Sequence, residues 1–252
     1  MGGGVDYKRR VYAIRDLPTL PAIAQKLLTI ADDDEDCVEK LTKLISSDQS
    51  LAVRILAFAN SAYFGHRSQI GTVRHAVNVI GTAMLKQFSL SVLVCNMMGR
   101  GGNDRTEFWM HSFATGTAAS MISDRAGLSD RDLSFMAGLI HDVGKIIIDT
   151  YFPGERDVEH TEVGGWIAER WALPQPLIHA ITHHHSNSPD HFAQPIVACV
   201  FAANACAKLA FQTKAPKVAP DVLEALKLTE KDMLEIVIEL QNRQQQMDSF
   251  VK

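Results

Sequence analysis

Three features of this 252-residue sequence predict an all-α fold. Apolar residues recur at helical spacing through most of the chain, segments that alternate apolar and polar residues are few, and no hairpin signature occurs. Hydrophobic residues make up 46% of the chain and charged residues 21%, which is ordinary for a globular protein with a substantial core. Helices packed on helices are therefore the expected architecture.

The N-terminal half shows helix caps as well as helical spacing. Asp48 and Thr72 stand where side chains cap a helix start, and Gly81 stands where a glycine ends one. The predicted helices cover residues 21–31, 38–45, 49–60, 73–80 and 82–98. This half carries no obvious catalytic groups.

Three glycines in residues 99–103 mark the clearest internal boundary. Beyond it we expect a central helix, capped by Asp130 or Asp132, that carries His141 and Asp142 and precedes a loop over residues 151–158. The other predicted helices cover residues 104–125, 159–171, 174–185, 196–211, 220–227 and 230–247, with a loop bracketed by Pro189 and Pro195.

The central helix interrupts its apolar run, residues 135–148, with His141, Asp142 and Lys145. An unpaired carboxylate is costly to bury, so Asp142 should have a cation, a metal or several hydrogen bonds beside it. Adjacent His and Asp residues can converge on a metal ion, and Lys145, one turn on, can hold an anion near it. The alternative is a structural His–Asp pair in a buried helix.

Further candidate ligands come from other helices in the histidine-rich half. Glu107 and His111 share a helix face, His160 stands in a first turn, and His184 and His185 stand at a helix end. Each alone is more often a hydrogen-bonded core or surface residue, but helix packing can bring them to one centre. His66, His75, His179 and His191 are assigned surface or local roles.

Composition argues against several other classes of protein. The net charge of −4 does not suggest a nucleic-acid-binding surface, and the basic residues lack stacking aromatics beside them. Those basic residues are Arg9, Arg10, Arg67, Arg74 and Lys86. The four cysteines form no CxxC pair, and no signal peptide or membrane-spanning run is visible. We therefore expect a cytoplasmic protein that binds neither nucleic acid nor membrane.

Seven segments together carry a family resemblance. They are residues 17–21 (LPTLP), 51–65 (LAVRILAFANSAYFG), 76–81 (AVNVIG), 138–145 (GLIHDVGK), 160–164 (HTEVG), 171–174 (WALP) and 180–185 (AITHHH). With these segments the chain resembles the HDOD domain, an output-type relative of the HD and HD-GYP metal-dependent phosphohydrolases. The resemblance covers about residues 14–245. It implies one HDOD domain, in which an N-terminal helical bundle (14–98) packs on a C-terminal HD-like bundle (104–212), followed by amphipathic helices (213–252).

The resemblance also implies a set of ligands for one or two divalent metals, with Fe, Mn, Ni, Zn and Mg all open. The implied ligands are Glu107, His111, His141, Asp142, His160, His184 and His185, with Asn204 at the position of a final carboxylate. An amide is a weaker ligand than a carboxylate, so Asn204 is a weak or lost ligand. The segment after His185 also lacks the Gly-Tyr-Pro of the cyclic-di-GMP phosphodiesterases, which argues against that activity.

Two functions follow from the resemblance. The first is a bacterial signal-transduction module with a degenerate metal pocket, acting through a protein partner or a fused signalling domain. The alternative is a metal-dependent phosphohydrolase acting on a nucleotide or another phosphoester, in which Asp142 and Lys145 are catalytic. The oligomeric state is left open.

Overall fold

The computed structural model describes residues 6–17, 21–31, 34–60, 69–98, 103–186, 188–211 and 218–244. Helices are the only regular secondary structure in this part of the chain, so the predicted all-α class is confirmed. In chain order the helices are α1 Tyr7–Tyr12, α2 Ala22–Leu28, α3 Cys37–Ser46, α4 Gln49–Ala59, α5 Val73–Ile80, α6 Thr82–Met98, α7 Asn103–Ala126, α8 Arg131–Ile140, α9 Val143–Tyr151, α10 His160–Arg170, α11 Gln175–His183, α12 Pro189–Phe192, α13 Pro195–Phe211, α14 Pro220–Leu226 and α15 Glu230–Asn242.

The chain forms two compact units. The site unit contains Met1–Thr19 and Ala114–Leu240, and the second unit contains Leu20–Phe113 and Gln241–Lys252. The boundary in the middle of the chain falls inside α7, between Phe113 and Ala114. The assignment of residues 14–245 to one domain stays a prediction.

Local side-chain bonds set the helix starts in the second unit. The Asp48 carboxylate accepts from the Leu51 N–H at 3.0 Å, and the Thr72 hydroxyl accepts from the His75 N–H at 3.1 Å. Gly81 ends α5 with a φ of 91°, a conformation that favours glycine. These caps are confirmed as the sequence predicts them.

Lys86 is buried in the second unit. Its Nζ donates to the carbonyl of Ile30, just beyond the end of α2, at 2.6 Å. A cation is favourable there because the carbonyls at a helix C-terminus carry partial negative charge. Lys86 is therefore a structural residue and is unavailable to a surface basic patch.

The prediction of one central helix through residues 141 and 142 is wrong. Helix α8 ends at Ile140 and α9 begins at Val143, with His141 and Asp142 between them. Asp142 has φ −96° and ψ 11°, outside the helical range, so the chain turns at this residue. The histidine and the carboxylate therefore lie at a junction of two helix ends.

Two short helices lie where the sequence predicts none. Helix α1 precedes the first predicted helix, and α12 occupies the predicted loop between Pro189 and Pro195. Both are too short to show helical periodicity in the sequence. Helix α15 ends at Asn242, earlier than the predicted end at about residue 247, and the chain beyond 244 lies outside the described residues.

Glycines let the helices around residues 141 and 142 approach closely. A Cβ on Gly138 of α8 would meet the backbone of α7 at the Thr115 carbonyl and at Gly116. A Cβ on Gly144 of α9 would collide with the carbonyl of His160, the first residue of α10. Because both contacts are with backbone, neither helix could tolerate a larger residue without moving.

Part of the family-like pattern falls outside the described residues. This applies to residues 61–65 of the segment 51–65 and to residues 18–20 of the segment 17–21. His66 and Arg67, which belong to none of these segments, also lie outside the described residues. No single helix in the described ranges is both long and apolar enough to cross a membrane; the bent pair Val73–Ile80 and Thr82–Asn96 reaches the required length and composition only when its two parts are taken together.

Candidate metal centre

The carboxylate of Asp142 is the centre of a polar cluster in the site unit. Its Oδ1 lies 3.2 Å from His160 Nε2 and 3.4 Å from His184 Nε2. Its Oδ2 lies 3.3 Å from His141 Nε2 and 2.6 Å from Lys145 Nζ. Asp142, His141 and His184 are all buried. The structure thus gives the carboxylate the cationic and imidazole neighbours that burial requires.

Helix ends supply the side chains of this cluster. His141 and Asp142 occupy the turn between α8 and α9, and His160 is the first residue of α10. His184 is the C-cap of α11, and His185 follows it. One ligand atom from each of Asp142, His160, His184 and His185 lies within 4.8 Å of the others. Helix packing therefore brings together residues up to 43 positions apart (185 minus 142).

Backbone carbonyls fix the orientation of the two buried rings. Nδ1 of His141 lies 2.7 Å from the Gly138 carbonyl, and Nδ1 of His184 lies 2.8 Å from the Ile181 carbonyl. A carbonyl only accepts, so each Nδ1 carries the proton. The neutral form of a ring held in this way carries its lone pair on Nε2, the nitrogen next to Asp142, as in metal-ligating histidines.

The electrostatics of the cluster favour an anionic Asp142 carboxylate beside a neutral His184 ring. Burial opposes ionisation of Asp142, but the imidazoles of His141, His160 and His184 hold its pKa well below its usual range. Burial lowers the pKa of His184 to about 3, outweighing the attraction of Asp142. Burial, and then the nearby His160 and Lys208, lower the pKa of His185 to about 4, although its ring is partly exposed. At neutral pH, His184 therefore offers a lone pair.

These residues fit a divalent metal. A carboxylate oxygen and a neutral Nε2 are both acceptors, so their contact at 3.4 Å is unfavourable unless a proton or a metal cation lies between them. Because burial lowers the pKa of His184 to about 3, a metal cation suits this contact better than a proton at neutral pH. Ligands about 2.0–2.2 Å from a metal ion stand about 3–3.4 Å from one another. The measured separations of 3.2–3.4 Å lie in this range. Asp142, His141, His160, His184 and His185 are the residues that would hold the metal.

Two lysines lie near the cluster. Lys145 pairs with Asp142, as expected one turn after it, and 42% of its side chain is exposed. Lys208 on α13 is half-buried, and burial lowers the pKa of its ammonium while the charge of Asp142 opposes this. Sequence reasoning missed Lys208 because a lysine near the end of an apolar helix is ordinarily a surface residue.

The structure places Glu107 and His111 in the second unit, on the first half of α7. Glu107 is exposed and His111 is half-buried. Their four-residue spacing puts them on one face of the helix, as the sequence predicts. Their role as metal ligands stays a prediction.

Asn204 is a buried residue of α13. This helix packs against α8 and α11, the helices that end next to His141 and at His184. Within the described residues, Oδ1 of Asn204 has no hydrogen-bond partner. A buried amide oxygen normally has one, so this atom is suited to receive a cation or a water.

A second group of histidines lies beside the cluster but is unsuited to one shared metal. The rings of His183 and His191 stack at 3.9 Å between centroids with 25° between planes. A metal ion lies in the plane of each imidazole ring that binds it. The planes of these two stacked rings are nearly parallel and meet only far from the rings, so one ion cannot lie in both planes at bonding distance. Ser186 and Gln194 bond Nδ1 of His191 and His179, respectively. The local roles assigned to His179 and His191 agree with these contacts.

Comparison with known families matches residues 17–159 to the HDOD domain and residues 108–240 to the HD domain. A protein of Treponema pallidum (strain Nichols) is 26% identical over 76% of this chain and 42% of its own length. Ribonuclease Y of Aquifex aeolicus (strain VF5) is 35% identical over 38% of this chain and 16% of its own length. The chain thus spans less than half the length of these relatives.

Solved structures share the fold. An HDOD domain protein from Geobacter sulfurreducens has a TM-score of 0.75 and 24% identity, covering 97% of this chain and 95% of its own. A protein from Shewanella amazonensis that bears the name of a phosphohydrolase has a TM-score of 0.67 and 19% identity, covering 96% of each chain. At these identities the likeness shows the fold alone. With the HDOD match over more than half of the residues, the chain belongs to the HDOD family and carries an HD domain around its histidine and aspartate cluster.

Proposed function

We propose that this chain is a regulatory HDOD domain whose HD pocket binds a divalent metal. The observation that carries the metal site is the approach of imidazole Nε2 atoms from three helix ends to the Asp142 carboxylate, at 3.2–3.4 Å. The metal would tie the turn at residues 141 and 142 to α10 and α11, and so would stabilise the fold of the site unit.

The donor set suits some metals better than others. Four imidazoles and one carboxylate favour Zn, Fe or Ni, because imidazole nitrogen prefers these ions. Mg is disfavoured because it prefers oxygen ligands and retains several waters. If Glu107 and His111 also bind, as the resemblance implies, a second metal has ligands.

Asn204 supports a regulatory role. A neutral amide stands where the HD pattern has its closing carboxylate, so the pocket holds its metal less strongly and with less negative charge. The chain also covers 42% of the length of its Treponema relative, which is compatible with a fused signalling domain or a protein partner. The four cysteines are free and buried, which suits the proposed cytoplasmic location.

Elemental analysis tests the metal site. Protein purified without chelator should contain close to one Zn, Fe or Ni per chain or more, and Asp142→Ala and His184→Ala should lose it. His75→Ala, an exposed histidine in the second unit, is the matched control. Metal-free wild-type protein that takes up none of these ions on dialysis would refute the proposal.

Phosphoester hydrolysis is the second candidate, favoured by one contact. Lys145 approaches Asp142 while part of its side chain stays exposed, so its ammonium can reach both the pocket and a bound anion. Relatives named ribonuclease and phosphohydrolase agree with this chemistry. A metal in such a pocket supplies Lewis acidity and an activated water. Asp142 and the histidines would hold it, and Lys145 would neutralise phosphate charge.

Turnover of an activated phosphodiester or phosphomonoester separates the two candidates. Metal-dependent turnover that Asp142→Ala abolishes and Lys145→Met reduces would establish catalysis. If metal-loaded wild-type protein turns over neither compound, hydrolysis is refuted and the regulatory role is favoured.

A further inference from the structure

A cleft of about 360 Å³ lies in the site unit at the starts of three helices. Its walls are the turn between α7 and α8, the first turn of α11 at Pro176, and the start of α13 at Pro195. Helices α8, α11 and α13 pack against one another, and at their other ends α8 and α11 lead into His141 and His184. Pro176 and His184 are eight residues apart along α11 (184 minus 176), which is about 12 Å, so the cleft is separate from the metal centre.

Most side chains that line this cleft are apolar, and the rest of the chain covers them only in part. They are Leu128, Leu133 and Ile196, which are half-buried, and Pro176, Ala193 and Pro195, which are exposed. A concave apolar surface in contact with water is unfavourable, and covering it releases free energy. Small-molecule sites in proteins are usually clefts of this kind, with volumes upward of about 300 Å³.

Local structure fixes the walls of the cleft before any ligand binds. Gly127 ends α7 with a φ of 66°, and the Leu128 N–H donates to the Ser123 carbonyl at 2.9 Å, which holds the backbone at the rim. Pro176 is the second residue of α11 and Pro195 the first of α13, and the proline ring fixes φ. Because these walls are already ordered, little conformational freedom is lost on binding.

The charged and polar groups of the cleft favour a cation over an anion. Asp130 is the one charged residue among those that line it. Its Oδ1 accepts from the Leu133 N–H at 2.8 Å, whereas its Oδ2 accepts no hydrogen bond within the described part of the chain. Helix starts ordinarily attract anions through free N–H groups, but Pro176 and Pro195 each remove such a donor.

Two further polar side chains of the cleft are already bonded within the protein. The Ser134 hydroxyl donates to the Asp130 carbonyl at 2.9 Å, and Oε1 of Gln194 accepts from Nδ1 of His179. Oδ2 of Asp130 is therefore the group that a ligand can engage by charge. A contact there would lie against apolar walls, where water weakens a charge interaction less than on an open surface.

We propose that this cleft binds a small organic cation, namely a primary amine with an aromatic or branched aliphatic body. The body of the ligand covers the apolar walls, and its ammonium donates to Oδ2 of Asp130. Charge-assisted hydrogen bonds of this kind are stronger than those between neutral groups, so they supply the selectivity for an amine. The site lies outside the proposed metal pocket and does not depend on it.

Amide NMR spectra of the whole chain, recorded while a probe is added, test this site. The probes are phenethylamine, cyclohexylmethylamine and isobutylamine, with phenethyl alcohol and phenylacetate as the neutral and anionic counterparts of the first. At least one amine should shift the amide signals of residues 128–134 and 193–197 saturably, with a dissociation constant on the order of 1 mM for molecules of this size. Phenethylamine should bind at least about tenfold more tightly than phenylacetate, whose charge would face that of Asp130.

Two substitutions separate the charge of the cleft from its shape. Asp130→Asn should weaken the binding of phenethylamine about tenfold, as expected for loss of one close charge. It should leave the free energy of unfolding nearly unchanged, because asparagine caps a helix as well as aspartate does. Ala193→Trp should abolish binding because the indole would fill the cleft. Asp221→Asn is the matched control, since Asp221 is an exposed aspartate in the first turn of α14 in the same unit.

The proposal is overturned if no amine produces a saturable shift, or if phenethylamine, phenethyl alcohol and phenylacetate bind equally well. It is also overturned if Asp130→Asn binds phenethylamine like wild type. Shifts confined to the histidine and aspartate cluster would place the amine at the metal centre and would equally contradict the cleft. Metal content is measured separately and does not enter this test, so the cleft and the metal pocket can fail independently.

Discussion

In the proposed metal pocket, Asn204 stands where the HD pattern has its closing carboxylate, and Asn204→Asp would restore that carboxylate. Asn204→Asp should raise metal affinity about tenfold or more, because a carboxylate is a stronger ligand than an amide. The same change should lower the free energy of unfolding of metal-free protein by at least about 1 kcal/mol, because the new charge is buried.

Metal titration and urea unfolding with and without chelator measure the two effects of Asn204→Asp. Asn204→Ala is the control, since it removes the amide without adding charge. An unchanged metal affinity in Asn204→Asp would show that residue 204 lies outside the coordination sphere.

Gly144 controls the spacing between α9 and His160. Gly144→Ala should lower the free energy of unfolding by more than about 2 kcal/mol, because the added methyl would collide with the His160 carbonyl and backbone cannot rotate away. The displaced His160 should also weaken metal binding. Gly71→Ala is the matched control, because a Cβ there would meet no atom within 4 Å. Equal stability of the two variants in urea unfolding would contradict this role for Gly144.

At this scale, residue type supplied the candidate residues, and the family resemblance implied that they share one pocket. The structure brings His141, Asp142, Lys145, His160, His184 and His185 close together, and their role as metal ligands stays a prediction. The turn at residues 141 and 142 could not be predicted, because a continuous apolar run matches one long helix as well as two shorter ones. Lys208 could not be predicted because its significance depends on which helices pack beside it.

The C-terminal half of α1 and the residues after it are bonded to the loop before α10 and to the end of α10. Arg10 makes two bonds to Glu155, at 2.9 and 2.7 Å, in the loop before α10. Arg170, at the end of α10, donates to the carbonyls of Val11 and Ile14 at 2.7 and 3.0 Å. The first residue of α10 is His160, so α1 supports the position of one proposed metal ligand.

Arg170→Met should therefore release α1 from α10. Loss of two charge-assisted hydrogen bonds to backbone carbonyls should lower the free energy of unfolding by about 1–3 kcal/mol. Amide hydrogen exchange should rise in residues 7–14 and in the first turn of α10. Arg156→Met, at an exposed arginine of the same unit, should stay within about 0.5 kcal/mol of wild type. Unchanged amide hydrogen exchange in α10 of Arg170→Met would refute the claim that α1 supports α10.

A helix could be predicted from the sequence where its apolar repeat was long enough and capping residues marked its ends. Helices α4, α5 and α6 begin and end close to their predicted residues because Asp48, Thr72 and Gly81 define them locally. Helix α1 was missed because its six residues are stabilised by contacts with residues about 145 to 159 positions away, which no local pattern reveals.

At the scale of the whole molecule, a bound metal should stabilise the site unit through mass action, because its ligands come from three separate helix junctions. A metal present at about 100 times its dissociation constant adds about 2.7 kcal/mol to the free energy of unfolding. Chelator should therefore lower the thermal midpoint of wild type. Trp109→Phe leaves Trp166 and Trp171, both in the site unit, as the fluorescence reporters of this transition. The same background with His160→Ala and His184→Ala should melt at one temperature with or without chelator. A chelator effect of equal size in that triple variant would place the stabilising ion elsewhere in the chain.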